Sequence, residues 1–285
     1  MKLMPFRLPQ LGKRAFASTI AGAALAASLA APVPVAAQGD LLVAPTRVIL
    51  DGRRGTEVIL SNIGSEEATY RISLVLRRMN ASGTLVEVSP DEANELEEAA
   101  LSMVRYAPRR IVLPPGQPQA VRIAARPSTD LPDGEYRAHM SFQSIPKAAP
   151  LTEQGSNPEG VSLRLIPIYG VTIPIIIRHG EVAATVALAN PRVTTDVNGS
   201  LFHLDMQRSG ESSTYGELRV LKQGSDEPIY MARGVAIYPE LDERQIAYPV
   251  TAEQAALMSG PVRVEFREMP EKGGALIASV DTVMG

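Results

Sequence analysis

The chain has 285 residues, 28 Lys and Arg against 31 Asp and Glu, and a formal charge of −3, so it lacks the basic surface that nucleic-acid binding requires. It contains no Cys, which excludes thiol catalysis and Cys-based metal sites and leaves burial as the source of stability. The length suits two domains of ordinary size.

Residues 1–37 read as a cleavable export signal. Lys2, Arg7, Lys13 and Arg14 form a basic start without an acid, and residues 15–31 are apolar and rich in Ala and Leu. Small residues then stand three and one positions before Gln38, the layout of a cleavage site. Pro32 and Pro34 end the apolar run short of the roughly 20 residues a membrane span needs. Loss of the four bases takes the formal charge from −3 to −7.

From Leu41 onward, apolar and polar residues alternate as in half-buried strands. The alternation predicts strands at 41–50, 57–62, 69–79, 110–113, 120–126 and 136–145. Turn signals separate them, among them Asp51-Gly52, Ser82-Gly83, Pro114-Pro115-Gly116 and Pro132-Asp133-Gly134. Short strands with regular turns indicate a sandwich or barrel. One segment departs from this: Ser89-Pro90-Asp91-Glu92 is a helix-start signature, and 93–103 can form a short helix. Its acids, Glu95, Glu97 and Glu98, read as a solvated face.

Residues 147–160 are polar and rich in Pro and Gly, as a loop would be. After them Val161, Leu163, Leu165 and Tyr169 share one parity of an alternating segment, and Ser162 and Arg164 occupy the other. Residues 171–177 are almost wholly apolar. A second strand series follows at 183–189, 201–206, 217–221, 228–232, 245–250, 262–266 and 276–280, so a second sandwich is expected. The boundary falls near 178–180, which gives domains at 38–178 and 179–285.

No catalytic pattern emerges. The three His residues, His139, His179 and His203, have no metal-ligand spacing, and no nucleophile elbow, phosphate loop or dinucleotide fingerprint is present. The expectation is a non-enzyme without metal or cofactor. His139 lies between Ala138 and Met140 on a strand, which reads as a surface or satisfied sandwich position.

Four stretches, in order, resemble the PapD-like periplasmic chaperones of chaperone–usher pili. They are Thr46-Arg47-Val48 followed by Asp51-Gly52, a strand ending in Asn62, the run 108–123 from Pro108 to Ile123, and the run from Leu131 through Phe142 to Ile145-Pro146. The resemblance covers 41–178 well, and the remainder only by length and strand content. It implies an all-β protein of two immunoglobulin-like sandwiches at an angle with a cleft between them, located in the periplasm. It implies pilus or fimbrial subunits and an outer-membrane usher as partners. The last strand of the first domain would be lent to a subunit by strand addition, with Val161, Leu163, Leu165 and Tyr169 as donors. Exposed apolar edges are sticky, so self-association of the free protein is also expected.

The resemblance further implies a basic pair in the cleft that holds the subunit's C-terminal carboxylate. Arg47 matches the first member. The second is normally a Lys four residues before the Arg that ends the donor strand. Counting back from Arg178 gives Pro174, so the sequence departs from the pattern here, and Arg178 or Arg122 stands as the substitute. An interdomain ion pair is implied as well, with Glu135, Arg178 and, from the second domain, Glu268. The alternative is a structural pilus subunit or a secreted immunoglobulin-like adhesin. For a subunit the resemblance implies one domain and usually a disulfide, against two domains and no Cys here.

Overall fold

The computed structural model describes residues 41–146 and 168–285. The export signal and three of the four expected donors, Val161, Leu163 and Leu165, lie outside the described residues. Among these residues no helix is long and apolar enough to cross a membrane.

The first half is a β-sandwich. Its strands are β1 (Leu41–Ala44), β2 (Val48–Leu50), β3 (Thr56–Asn62), β4 (Ala68–Met79), β5 (Leu85–Val88), β6 (Val104–Ala107), β7 (Arg110–Leu113), β8 (Pro118–Ala125), β9 (Gly134–Ile145) and β10 (Gly170–His179). One sheet has the order β1-β3-β8-β6. The other runs β2-β10-β9-β4-β5, with β7 also on β4. Alternate residues of the two sheets meet in a core that includes Tyr70, Phe142, Ile173 and Ile175. Each such side chain contributes about 1.5–3 kcal/mol on burial. Tyr136, near the start of β9, is buried and donates its hydroxyl to Pro132 O at 2.8 Å. That is the tyrosine corner of immunoglobulin-like sandwiches. Burial raises its pKa above the usual phenol value.

Three local features differ from the sequence expectation. The expected strand 41–50 is two strands, because Pro45 interrupts the ladder and the chain changes sheets there. β1 pairs antiparallel with β3, and β2 pairs parallel with β10. The short strands β5 and β6 carry no alternation long enough to read. The Ser89 signature starts a single 3-10 turn, Pro90–Glu92, and the helix α1 (Glu95–Met103) starts afresh at Asn94, whose side chain accepts from Glu97 N at 2.9 Å while the Glu97 carboxylate accepts from Asn94 N. Glu97 therefore departs from the expected solvated face: it also pairs with Arg78 at 2.7 Å. Asn62 is fully buried and explains itself. Its amide donates to Glu66 O and Leu113 O, and its side-chain oxygen accepts from Gly64 N, so one residue pins two turns.

The second half is also a sandwich, with all seven expected strands present. These are β11 (Ala184–Asp196), β12 (Gly199–Gly210), β13 (Thr214–Lys222), β14 (Pro228–Ile237), β15 (Glu243–Val250), β16 (Gly260–Glu268) and β17 (Leu276–Met284). A short helix, α2 (Ala252–Met258), precedes β16. The sheets have orders β11-β12-β15 and β14-β13-β16-β17. Phe202, Leu204, Leu218, Val264 and Phe266 fill the space between them.

A small third apolar cluster joins the halves: Met79 and Ile176 from the first, Ala236 and Tyr238 from the second. The tip of the β4–β5 hairpin docks beside it, where Gln245 N donates to Ala81 O at 2.8 Å. Gly83, at φ +84°, is needed at this tip, since a Cβ there would meet the Arg244 guanidinium.

Candidate functional site

Two features of the first sandwich converge on function: the free edge of β10 and the face it shares with β9. Along 170–179, β10 pairs with β9; its other side pairs with β2 only at Ile175, Ile176 and Ile177. Among the described residues no strand covers that side of 170–174. Pro174 fits this position, since Pro is confined to edges that need no donor. Ser144 N donates to Tyr169 O at 2.8 Å, so Tyr169 and every second residue after it turn their backbone groups to β9. Gly170 and Thr172 therefore present theirs to the open side. Ile168 and Tyr169, just before the strand, are 58% and 52% exposed. Tyr169 shares its parity with Ile173, Ile175 and Ile177, which enter the first core.

The opposite parity of these strands faces the second sandwich. Ala138 and Met140 point into the first core, so Glu135, Arg137 and His139 point the other way. Glu135 is buried, and its Oε2 accepts from Ser213 N at 3.0 Å, Ser213 Oγ at 2.8 Å and Arg178 Nε at 3.2 Å. Arg178 also donates to Ser213 O. Glu268, at the end of β16, lies opposite Gly216 and forms no ion pair with Arg178 among the described residues. The group that meets Glu135 and Arg178 from the second half is Ser213.

A second carboxylate crosses in the reverse direction. Glu240, in the loop between β14 and β15, accepts two bonds from Arg137 and one from Met79 N at 2.8 Å. The loops bearing Ser213 and Glu240 are tied together by buried Arg208, which donates to Ser212 O, Pro239 O and Leu241 O. Neither Arg137 nor Glu240 had a sequence signal of its own.

Arg47 reaches the same junction. It donates to Tyr238 Oη and Ser213 Oγ, both at 3.0 Å, and lies 4.6 Å from the Tyr215 ring centre. Tyr238 is shared between two cations, with Arg47 5.5 Å and Arg137 3.7 Å from its ring centre. No carboxylate pairs with Arg47 among the described residues. Arg122 is elsewhere: it sits on β8 in the other sheet, paired with Glu57 at 3.1 Å. Pro174 lies opposite His139 in the β10–β9 register.

His139 is neither a surface nor a satisfied residue. It is 1% exposed, and neither ring nitrogen has a hydrogen-bond partner among the described residues. Burial, followed by the positive charges of Arg137, Arg77 and Arg47, lowers its pKa to about 3. The sign of the consequence is fixed: an unfolded chain takes up this proton below about 6.5 while the folded chain refuses it until about 3. Stability present above pH 6.5 therefore falls as the pH drops, by about 1.4 kcal/mol per unit, or about 2 kcal/mol at pH 5. Urea titrations across pH 4–7 check this, with His139→Phe expected to flatten the slope.

No group of three or more His, Asp or Glu residues among the described residues is placed to hold a metal ion. No family model matches the sequence, and no curated protein matches it. Solved structures do. One is the CsuC–CsuE chaperone–tip adhesion subunit pre-assembly complex from archaic chaperone–usher Csu pili of Acinetobacter baumannii, at 12% identity and TM-score 0.44, covering 86% of this chain and 99% of that one. In fold the chain is similar to pilus-chaperone structures. The E. coli chaperone DraB matches at 15% identity and TM-score 0.45, over 87% of this chain and 97% of its own. The Salmonella enterica SafA pilin–SafB chaperone complex matches at 17% and 0.44, over 86% and 96%.

Proposed function

We infer that this protein is a periplasmic chaperone that captures pilus or fimbrial subunits by lending them a strand and passes them to an outer-membrane usher. The observation that carries this reading is the uncovered side of β10 at 170–174, which continues the alternating segment bearing Val161, Leu163, Leu165 and Tyr169. An incomplete sheet in a subunit would gain main-chain hydrogen bonds along this side and apolar side chains at every second position. Arg47 is the base for a subunit's terminal carboxylate: it stands at the junction with no acid of its own. Arg178 supplies a weaker second charge, because Glu135 already occupies it. Glu135, Arg178 and Ser213 fix the orientation of the two sandwiches.

Co-expression with a neighbouring pilin-like subunit tests the reading. A stable complex is expected, and it is lost when Leu163→Asp and Leu165→Asp are combined. Absence of a complex with the wild-type chain, or undiminished capture by the double variant, would end the proposal. Arg47→Ala is expected to weaken capture about tenfold, the loss of one charge-assisted hydrogen bond, with a folded chain by circular dichroism. Wild-type affinity in that variant removes Arg47 from the site.

A further inference from the structure

Arg47 Nε, Arg77 Nε and Arg137 Nε are buried N–H donors without an acceptor among the described residues, and both nitrogens of His139 are likewise unpartnered. Arg77, Arg137 and His139 lie on strands of one sheet, and Arg47 directly precedes another of its strands, β2. His139 stands between Pro174 on β10 and Val75 on β4. Arg77 follows Val75 by two residues, Arg137 precedes His139 by two, and the two arginines are joined through Arg137 Nη2 and Arg77 O at 3.1 Å. Arg47 directly precedes Val48, which is level with Ile175, the neighbour of Pro174. All three cations thus surround the imidazole. The ring of Pro174, on the row between Arg47 and His139, offers no hydrogen-bonding group.

Buried donors in native proteins are almost always satisfied, so this concentration demands an acceptor. The charge balance selects its kind. Among the described residues, Arg47, Arg77, Arg78, Arg137 and Arg178 face three carboxylates, Glu97, Glu135 and Glu240, of which Glu97 is bound to Arg78, Glu240 to Arg137 and Glu135 to Arg178. Water would supply acceptors and leave the excess positive charge; an anion supplies both. His139 is 1% exposed, so the space beside its ring is enclosed and suits a single small ion.

We propose that the junction between the sandwiches binds a small inorganic anion of the halide class, held by the ring N–H of His139 and the Nε–H groups of Arg47, Arg77 and Arg137. This ion neutralises the junction of the free protein. The inference stands on these groups alone, and its test uses no subunit, so its failure leaves the strand-lending function untouched.

The test compares thermal unfolding of the purified protein in sodium bromide and in sodium gluconate at equal ionic strength. Tm is expected to be higher in bromide by about 3 °C or more, and to climb with bromide concentration. His139→Phe and Arg77→Gln are each expected to abolish the difference. Bromide beside the ring also favours its protonated form, so the loss of stability between pH 6.5 and 5 should be smaller in bromide than in gluconate for the wild-type chain. A crystal grown in bromide should give an anomalous peak beside His139. Equal Tm values in the two salts, a difference that survives in Arg77→Gln, or a map without that peak would overturn the proposal. If His139→Phe does not fold, Arg77→Gln and the map decide.

Discussion

Glu240→Ala is expected to destabilise the protein by about 3 kcal/mol, near the lower end of what removal of one partner from a buried ion pair costs. The cause is what remains. Arg137 keeps only 9% of its side chain exposed, and without Glu240 it has no directly bonded carboxylate, since Glu97 is paired with Arg78, while Met79 N loses its acceptor. The cost stays below the upper limit because Glu240 is itself 21% exposed and water can enter. Denaturant unfolding measures the loss, and a double-mutant cycle with Arg137→Ala isolates the pair. The double variant should be more stable than Glu240→Ala alone, since it buries no orphan charge. The sandwiches should remain joined in both, because Glu135 still holds Ser213 and Arg178, and the apolar side chains of Met79, Ile176, Ala236 and Tyr238 still pack together. A loss under 1 kcal/mol for Glu240→Ala would mean that Arg137 is stabilised mainly by its stacking on Tyr238.

The junction also shows where sequence reasoning stops. Strands were legible where one side is buried and the sequence alternates, as at Phe202–Met206 in β12 and Arg244–Ile246 in β15. β5 and β6 have four residues each and, unlike the equally short β7 with Pro114-Pro115-Gly116 behind it, β6 has no such turn signal to mark it and β5 is followed by a helix-start signature. Residues 41–50 read as one apolar-rich strand, yet Pro45 divides them between two sheets. Arg47 and the Glu135–Arg178 pair could be named from the resemblance, as Arg47 directly precedes β2 and the pair sits in β9 and β10. Ser213 and Glu240 could not, since they lie in loops of the other sandwich, 78 and 103 positions from the residues they bind. His139 was misread for a physical reason. Between two core residues, Ala138 and Met140, its side chain had to leave the first core, and for one isolated sandwich that direction is solvent. A second sandwich and three arginines close over that face, and alternation carries no information about them.

Thr172→Pro is expected to lower subunit affinity about tenfold or more while leaving the fold intact. Thr172 has the same parity as Pro174 and turns its N–H to the uncovered side of β10, away from β9. Proline there deletes one donor to a lent-strand partner and leaves a subunit carbonyl unsatisfied, which costs about 1–3 kcal/mol. It removes nothing from the β10–β9 ladder. Val171→Pro is the contrast: Val171 faces β9, so the same change breaks a bond inside the sheet and lowers stability before it lowers affinity. Isothermal titration with a purified subunit, alongside denaturant unfolding, separates the two effects. Affinity lost with stability kept at 172, and stability lost at 171, is the pattern that strand addition along β10 requires. Equal affinity for Thr172→Pro and the wild-type chain would show that the subunit does not pair with this edge. The side chains from Val161 to Tyr169 would then have to act without a continuous ladder behind them, and the strand-lending mechanism would be wrong for this protein.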